Sequence, residues 1–412
     1  MSETVTQVDQ AALGAAAATR PQAATPSRLR GILCLDDFEE PARRFLPRPI
    51  FGFITGGVES NSAREGNRAA FKEYDFLPRV LVNTRARHQK TTLLGRTYDL
   101  PFGFPPKGGT ALAAYMGDTV LAKVAAELNT VMIQSGASLL TLEKLRAVGP
   151  TAWFQAYLPG EPAVITPLVE RVQRAGFEVL VLTVDVQVSA NRENNVRTGF
   201  SSPLKVRPRL VWDCALRPRW SLGTFGRTLL NHGMPHLENL GYPRIPVVGN
   251  LDRQGRTRDG LSWEHVELMR KLWKGKLVLK GVLSKQDVRI ARESGVDGIM
   301  VSNHGGRQLD HTVAPLRMLP SVVSEAGNMA IMLDSGIRRG TDVLKALALG
   351  AHYVFVGRPF LYAAAIGGEA GVHHGAKLLR EEISRNMAML GISTLAEMKR
   401  ELLVSNRGPI EG

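Results

Sequence analysis

Cysteine is nearly missing from this chain: only Cys34 and Cys214 occur among 412 residues. Two thiols cannot build a disulfide framework, and a lone cysteine is more often a small buried hydrophobe than a nucleophile, so a reducing compartment is expected. Long apolar runs are missing too, and so is a charged leader followed by an apolar core; a secreted or membrane-spanning protein is not expected, and a cytoplasmic one is. Acidic residues are in deficit, with 38 Asp and Glu against 52 Lys and Arg, a formal charge of +14. Such an excess draws anions, nucleic acid or acidic lipid surfaces, or is only a solvated basic surface. The basic residues lie on no recognition helix or aromatic sheet platform, which sets nucleic acid aside as a partner.

What is present is a series of eight short apolar runs: Leu100–Pro106, Thr130–Ser135, Thr151–Tyr157, Val179–Asp185, Lys276–Gly281, Gly298–Asn303, Ala330–Ser335 and His352–Gly357. Strands covered on both faces read this way. Helical patterns at Gly117–Leu128, Glu161–Ala175, Lys285–Ser294 and Thr341–Leu349 alternate with them, so β then α repeats. Repeated units imply parallel strands with right-handed crossovers. A doubly wound open sheet is the competitor. The first strand lacks a Gly-x-Gly-x-x-Gly turn after it, which favours closure into a (β/α)8 TIM barrel.

Residues 1–28, rich in Ala, Thr, Gln and Pro without helical periodicity, read as a disordered tail, and residues 29–412 as one domain with its barrel at about 100–365. Leu35 to Asp75 should form an N-terminal helical segment, in which Gly56-Gly57 either places backbone near the mouth or simply stops a helix. After the fourth strand comes a long insertion, at about 200–262, far beyond the usual length of a βα loop. Within it Pro203–Leu222 interleaves Lys205, Arg207, Arg209, Arg217 and Arg219 with Leu204, Val206, Leu210, Val211, Trp212 and Trp220. That composition suits a membrane surface, and equally an active-site lid packed on the barrel.

Polar groups at strand C-termini converge on one mouth of such a barrel. His304 is the histidine inside a strand-end polar cluster, and imidazole is suited to take a proton near neutral pH. Asp185, ending the fourth strand, could pair with it as an orienting carboxylate. Arg307 offers a planar fork for a substrate carboxylate. Lys280 ends an apolar strand where nothing structural asks for an ammonium, so it should face a negative or electron-rich partner. Asp334-Ser335-Gly336-Ile337-Arg338 and Gly357-Arg358 follow the seventh and eighth strands, the habitual phosphate site of this barrel. A phosphorylated ligand or cofactor is expected there. Metal ligands and a serine elbow are lacking, which leaves base-assisted redox on a phosphate-bearing flavin.

Ser302-Asn303-His304-Gly305-Gly306-Arg307-Gln308-Leu309-Asp310 is a specific match, supported by Phe154-Gln155-Ala156-Tyr157, Leu182-Thr183-Val184-Asp185, Lys280-Gly281 and Arg338-Arg339-Gly340-Thr341-Asp342. From Leu33 to Leu403 the chain resembles the FMN-dependent 2-hydroxy acid dehydrogenases and oxidases. Arg217-Pro218-Arg219-Trp220 and His232-Gly233-Met234-Pro235 resemble the mandelate dehydrogenases of the family, with the quinone-linked L-lactate dehydrogenases next. This resemblance implies FMN as cofactor, an L-2-hydroxy acid, mandelate-like or lactate, as substrate, a membrane quinone as electron acceptor with oxygen as the alternative, attachment at the inner face of the cell membrane, and a homotetramer. It implies that His304 takes the substrate proton, Asp185 stabilises the imidazolium, Arg307 and Arg192 hold the carboxylate, and Tyr157 bonds the hydroxyl. Pro106, Lys107, Gly108, Ser135, Gln155, Thr183, Lys280 and Ser302 would hold the flavin ring, and Asp334, Gly336, Arg338, Gly357 and Arg358 its ribityl phosphate.

Two positions, Phe53 and Lys107, depart from the family pattern. Phe53 stands where a tyrosine usually helps bind the carboxylate; the lost hydrogen bond is worth roughly 1.5–3 kcal/mol. Lys107 replaces a neutral residue and either adds a cation near the flavin or points into solvent. Ala137 stands where short-chain glycolate oxidases carry tryptophan, so the pocket should admit a larger, mandelate-like side chain. Two other readings are an FMN-binding homologue without turnover and a phosphate-binding aldolase barrel; the intact His304, Asp185, Lys280 and Arg307 set argues against the first.

Overall fold

A computed structural model describes residues 26–240, 244–249 and 258–406. Eight parallel strands form the barrel: β1 Phe102–Gly103, β2 Ile133–Ser135, β3 Trp153–Ala156, β4 Val179–Thr183, β5 Lys276–Val282, β6 Gly298–Val301, β7 Ala330–Leu333 and β8 Tyr353–Phe355. Each pairs with its sequence neighbours, and β8 returns to β1. The ring closes between β1 and β2 through the Phe104–Met132 bridge, where Phe104 N donates to Val131 O at 2.8 Å and Ile133 N to Phe104 O at 2.9 Å. The fold is therefore the expected (β/α)8 barrel. Its ladders are shorter than the apolar runs, because burial under the helices continues past the last backbone pairing.

Side chains alternate along each strand with a period of two, and the alternation sorts the core into two. Leu180, Leu182, Leu277, Leu279, Ile299, Ile331 and Leu333 face the helices. Ile133, Trp153, Val181, Val278, Met300, Met332 and Phe355 fill the barrel axis, with Leu93 and Tyr98 of the hairpin Thr91–Leu93/Arg96–Tyr98 joining them. Two residues beyond these axial side chains, in the same rows, come Ser135, Gln155, Thr183, Lys280, Ser302, Asp334 and Gly357. An apolar plug thus ends in a polar ring at the C-terminal mouth.

The expected N-terminal helices are present as Glu39–Phe45, Arg48–Thr55 and Ser62–Ala69. The expected tail lies outside the described residues up to position 25, and Ser27–Leu29 forms a 3-10 turn with Leu29 buried. Gly56 ends the second helix and Gly57 passes so close to Gly306 that a Cβ there would stand 2.8 Å from its carbonyl. The break both stops the helix and brings backbone to the mouth. The excursion after β4 begins directly past Asp185 and rejoins the barrel at the helix Trp263–Leu272. Trp220 anchors it, buried, with Nε1 donating to Leu112 O at 2.8 Å and its ring stacked on Phe225 at 5.7 Å. Its companion Trp212 is 64% exposed, alongside Val206, Val211, Leu216, Leu222 and Leu230.

Asp310 ties the N-terminal helices to the loop after β6. Its Oδ1 accepts from Ala63 N at 2.8 Å and its Oδ2 from Ser60 Oγ at 2.5 Å, capping the helix Ser62–Ala69 from outside. Although desolvation works the other way, these hydrogen bonds hold its pKa down at about 2. A depressed carboxylate stabilises the fold above the unfolded-state value, ~3.9, and the contribution fades as pH falls through about 2. Asp310→Asn is expected to lower the unfolding free energy by roughly 1–3 kcal/mol at neutral pH, read by denaturant melts, with the gap from the parent closing in strong acid.

Candidate active site

His304 occupies a left-handed conformation, φ 57°, the first of three consecutive positive-φ residues with Gly305 and Gly306. Histidine tolerates this region, and the turn lifts its ring off the end of β6 toward β4. Only glycine fits at 306, where a Cβ would stand 2.4 Å from Arg64 N. The ring's Nδ1 lies 3.0 Å from Asp185 Oδ1. Burial opposes the charge on Asp185, but the neighbouring His304 and Lys280 outweigh it and keep the carboxyl below its usual range. An ionised partner makes Nδ1 the donor and leaves Nε2 as an acceptor. Burial pushes the His304 pKa down, Asp185 pulls it back and Lys280 opposes protonation, for a net lowering. The ring is neutral near pH 7, as a base must be.

Lys280 is 3% exposed, with Nζ 3.0 Å from Ser302 Oγ and 3.5 Å from Asp334 Oδ2. Desolvation alone would lower its pKa, yet Asp334 and Asp185 reverse that and hold it above the ordinary value. The result is a permanent ammonium at the mouth. Ser302 Oγ also accepts from His304 N at 3.0 Å, so one hydroxyl positions both groups.

Arg307 donates through Nη1 to Gly56 O at 2.7 Å and Ile54 O at 3.3 Å, and its guanidinium sits 5.1 Å from the Phe53 ring, which stacks on Phe200 at 4.2 Å. Nε and Nη2 make no hydrogen bond to the described residues and remain for a ligand. Arg192 donates to Arg307 O at 3.0 Å and to Gln308 Oε1. Burial and the facing Arg192 and Arg358 charges press the Arg307 pKa well down, a sign that an anion is wanted here.

One cavity of about 680 Å³ is bordered by His304, Arg307, Arg192, Tyr157, Lys280 and Ala137, and also by Pro106, Lys107, Gly108, Asp334, Gly336, Arg338, Gly357 and Arg358. Asp185, Thr183 and Ser302 border a second cavity of about 400 Å³ behind the His304–Asp185 pair. Ser135 and Gln155 border neither; Ser135 Oγ donates to Gln155 Oε1 at 3.1 Å. The two arginines expected at the phosphate have protein partners of their own: Arg338 Nε pairs with Asp36 at 3.1 Å, and Arg358 donates to the carbonyls of Ile54, Gly56 and Gly305.

Several neighbours escaped the sequence reading. Asn67 and Asn303 exchange amide hydrogen bonds at 2.8 and 2.7 Å, and Arg258 lies 5.0 Å from the Tyr157 ring. Gln308 and Asn303 fall within the Ser302–Asp310 motif, which could have flagged them; Asn67 and Arg258 carry no local signal.

These residues suit a flavin nucleotide. The large cavity lies in the size range of cofactor sites, Thr183 Oγ1 is buried at the mouth with no hydrogen-bond partner among the described residues, and an ammonium at one end with two guanidiniums at the other matches an electron-rich ring bearing a phosphate. Sequence comparison agrees. The pattern of FMN-dependent dehydrogenases matches residues 42–405. An L-lactate oxidase from Lysinibacillus sphaericus is 36% identical, over 91% of this chain and 94% of that protein. The (S)-mandelate dehydrogenase of Pseudomonas putida is 33% identical, over 92% of this chain and 96% of its own length. A solved structure described as the monotopic membrane protein (S)-mandelate dehydrogenase superposes with a TM-score of 0.83 at 32% identity, covering 92% of this chain and all of that one. The chain belongs to the FMN-dependent dehydrogenase family: it is an oxidoreductase acting on a CH–OH group, with FMN as its cofactor.

Proposed function

We propose that this protein oxidises a mandelate-like L-2-hydroxy acid to the 2-keto acid and passes the electrons to a membrane quinone. The observation behind the reaction is the His304–Asp185 contact at 3.0 Å beside the Arg307 guanidinium, which puts a neutral base and a carboxylate receptor on one wall. Bound FMN supplies the two-electron acceptor. Arg307, through its unused Nε and Nη2, and Arg192 fix the substrate carboxylate, while Tyr157 bonds the hydroxyl. His304 Nε2 then takes a proton from the substrate, and the carboxylate of Asp185 stabilises the imidazolium. Lys280 holds positive charge where negative charge grows during reduction. Phe53 contributes its ring beneath Arg307 in place of a phenol, so the carboxylate is held by guanidiniums alone.

A mandelate-like side chain is favoured by Ala137, a small residue on the cavity wall. Quinone and a membrane surface are favoured by the exposed face of the insertion, where Trp212, Leu222 and Leu230 (89% exposed) stand among Arg207, Arg209 and Arg219. The related (S)-mandelate dehydrogenase structure described as monotopic supports the same reading. Among the described residues no helix is long and apolar enough to cross a membrane. The L-lactate oxidase relative favours the alternative, reoxidation by oxygen.

Gly281 follows Lys280 at φ 105°, and a Cβ there would lie 2.6 Å from Asp185 Cβ and Cγ and 2.9 Å from Oδ2. The missing side chain is what lets the carboxylate reach His304.

Anaerobic addition of L-mandelate should bleach the flavin spectrum, and His304→Ala should keep the yellow colour while losing the bleaching; reduction of the variant at the parental rate would remove the base. Reoxidation of the reduced parent should be fast with a quinone analogue and slow in air, the reverse result identifying an oxidase. Asp185→Asn withdraws the charge that supports protonation of His304. Reduction should slow by about 10²–10⁴-fold, and the acid limb of the pH–rate profile should move to lower pH. Gly281→Ala should bind FMN yet shift that same limb as Asp185 is driven off the ring; an unchanged profile would mean the carboxylate does not need the space.

A further inference from the structure

Lys107 is the departure from the family pattern that the reaction does not use. Its side chain does not point into solvent: it borders the large cavity, and Nζ lies 3.4 Å from Gly357 O, the carbonyl at the start of the helix Arg358–Leu390. That carbonyl already accepts from Phe360 N at 3.2 Å and Leu361 N at 3.4 Å. The ammonium is a third donor at a long distance, so it gives up little by turning to a stronger acceptor. Gly336, Arg338, Gly357 and Arg358 border the same cavity. Arg338 is committed to Asp36, and Arg358 is bound on three nitrogens by the carbonyls of Ile54, Gly56 and Gly305.

We propose that Lys107 is an additional anchor for the phosphate of FMN, reaching it across the first turn of the helix that begins at Arg358. This rests on placing the phosphate end of the cofactor at Gly336, Arg338, Gly357 and Arg358. The two arginines are braced by protein atoms and set the shape of that end, whereas a flexible ammonium supplies a mobile charge that can follow the anion. Burial presses the Lys107 pKa down to about 7, and the buried Asp118 offsets this only in part. An arriving phosphate dianion relieves that penalty, which a solvated lysine would not feel. Aimed at the flavin ring instead, the same ammonium would change the affinity of every flavin alike. At the phosphate it discriminates between FMN and riboflavin.

Full-length holoenzyme is diluted and the rise of free flavin fluorescence gives the FMN dissociation constant; exchange with added riboflavin gives the second constant. Lys107→Met should raise the FMN constant by about tenfold or more, the loss of one charge-assisted hydrogen bond, and leave that of riboflavin unchanged, while Lys107→Arg restores most of the difference. Equal losses for both flavins, or no loss, overturn the proposal. Arg358→Gln is the companion measurement. If it costs FMN selectively while Lys107→Met does not, the phosphate end stands and the part given to Lys107 falls; if neither is selective, both fall.

Discussion

Charge balance in a dry mouth is the constraint on which this site depends. Lys280 is an ammonium almost without water, and it stays charged because Asp334 and Asp185 flank it. Asp185 is held ionised in turn by Lys280 and His304. The ammonium of Lys280 and the carboxylate of Asp185 therefore support each other's charged forms, and removing the ammonium would leave two largely buried carboxylates without it. Beside this pair, burial and the charges of Arg192 and Arg358 press down the pKa of Arg307. There the balance is left open for the anionic substrate proposed above.

The fold was legible because its period was. Runs such as Val179–Asp185 and Lys276–Gly281 alternate outward leucines with inward valines, and the inward row simply ends in Thr183, Asp185 or Lys280. Reading the last residues of the rows gave Asp185, Lys280, Asp334 and Gly357 without any knowledge of distances, whereas Ser135, Gln155 and Thr183 came only with the family resemblance. What lay hidden comes from elsewhere in the chain. The Gly56 carbonyl that receives both Arg307 and Arg358 sits at a helix end, and its partners are some 250 and 300 residues away in sequence. Gly281 was visible as half of a Lys-Gly match, but its reason, the carboxylate packed against its Cα, exists only in three dimensions. The ambiguous Lys107 is likewise a matter of direction, which composition does not encode.

Substitution at one place is absorbed at another. Phe53 lacks a phenol, yet its ring keeps two neighbours in order, Arg307 on one side and Phe200 on the other. The guanidinium fork is thus aimed by packing and by two backbone carbonyls rather than by a side-chain hydroxyl. Such an arrangement ties the Arg307 guanidinium to the N-terminal helices, which Asp310 in turn clamps to the loop bearing His304.

Trp220 gives the insertion a mechanical meaning. Its indole is pinned to the carbonyl of Leu112, and Leu112 is itself part of the cavity wall, five positions along the chain from Lys107. The insertion is therefore tied to the cavity wall through Trp220, and its own Phe200, Leu204 and Val247 line that cavity as well. Displacing the exposed aromatic and basic face would disturb the inner lining, so the two surfaces are not independent variables.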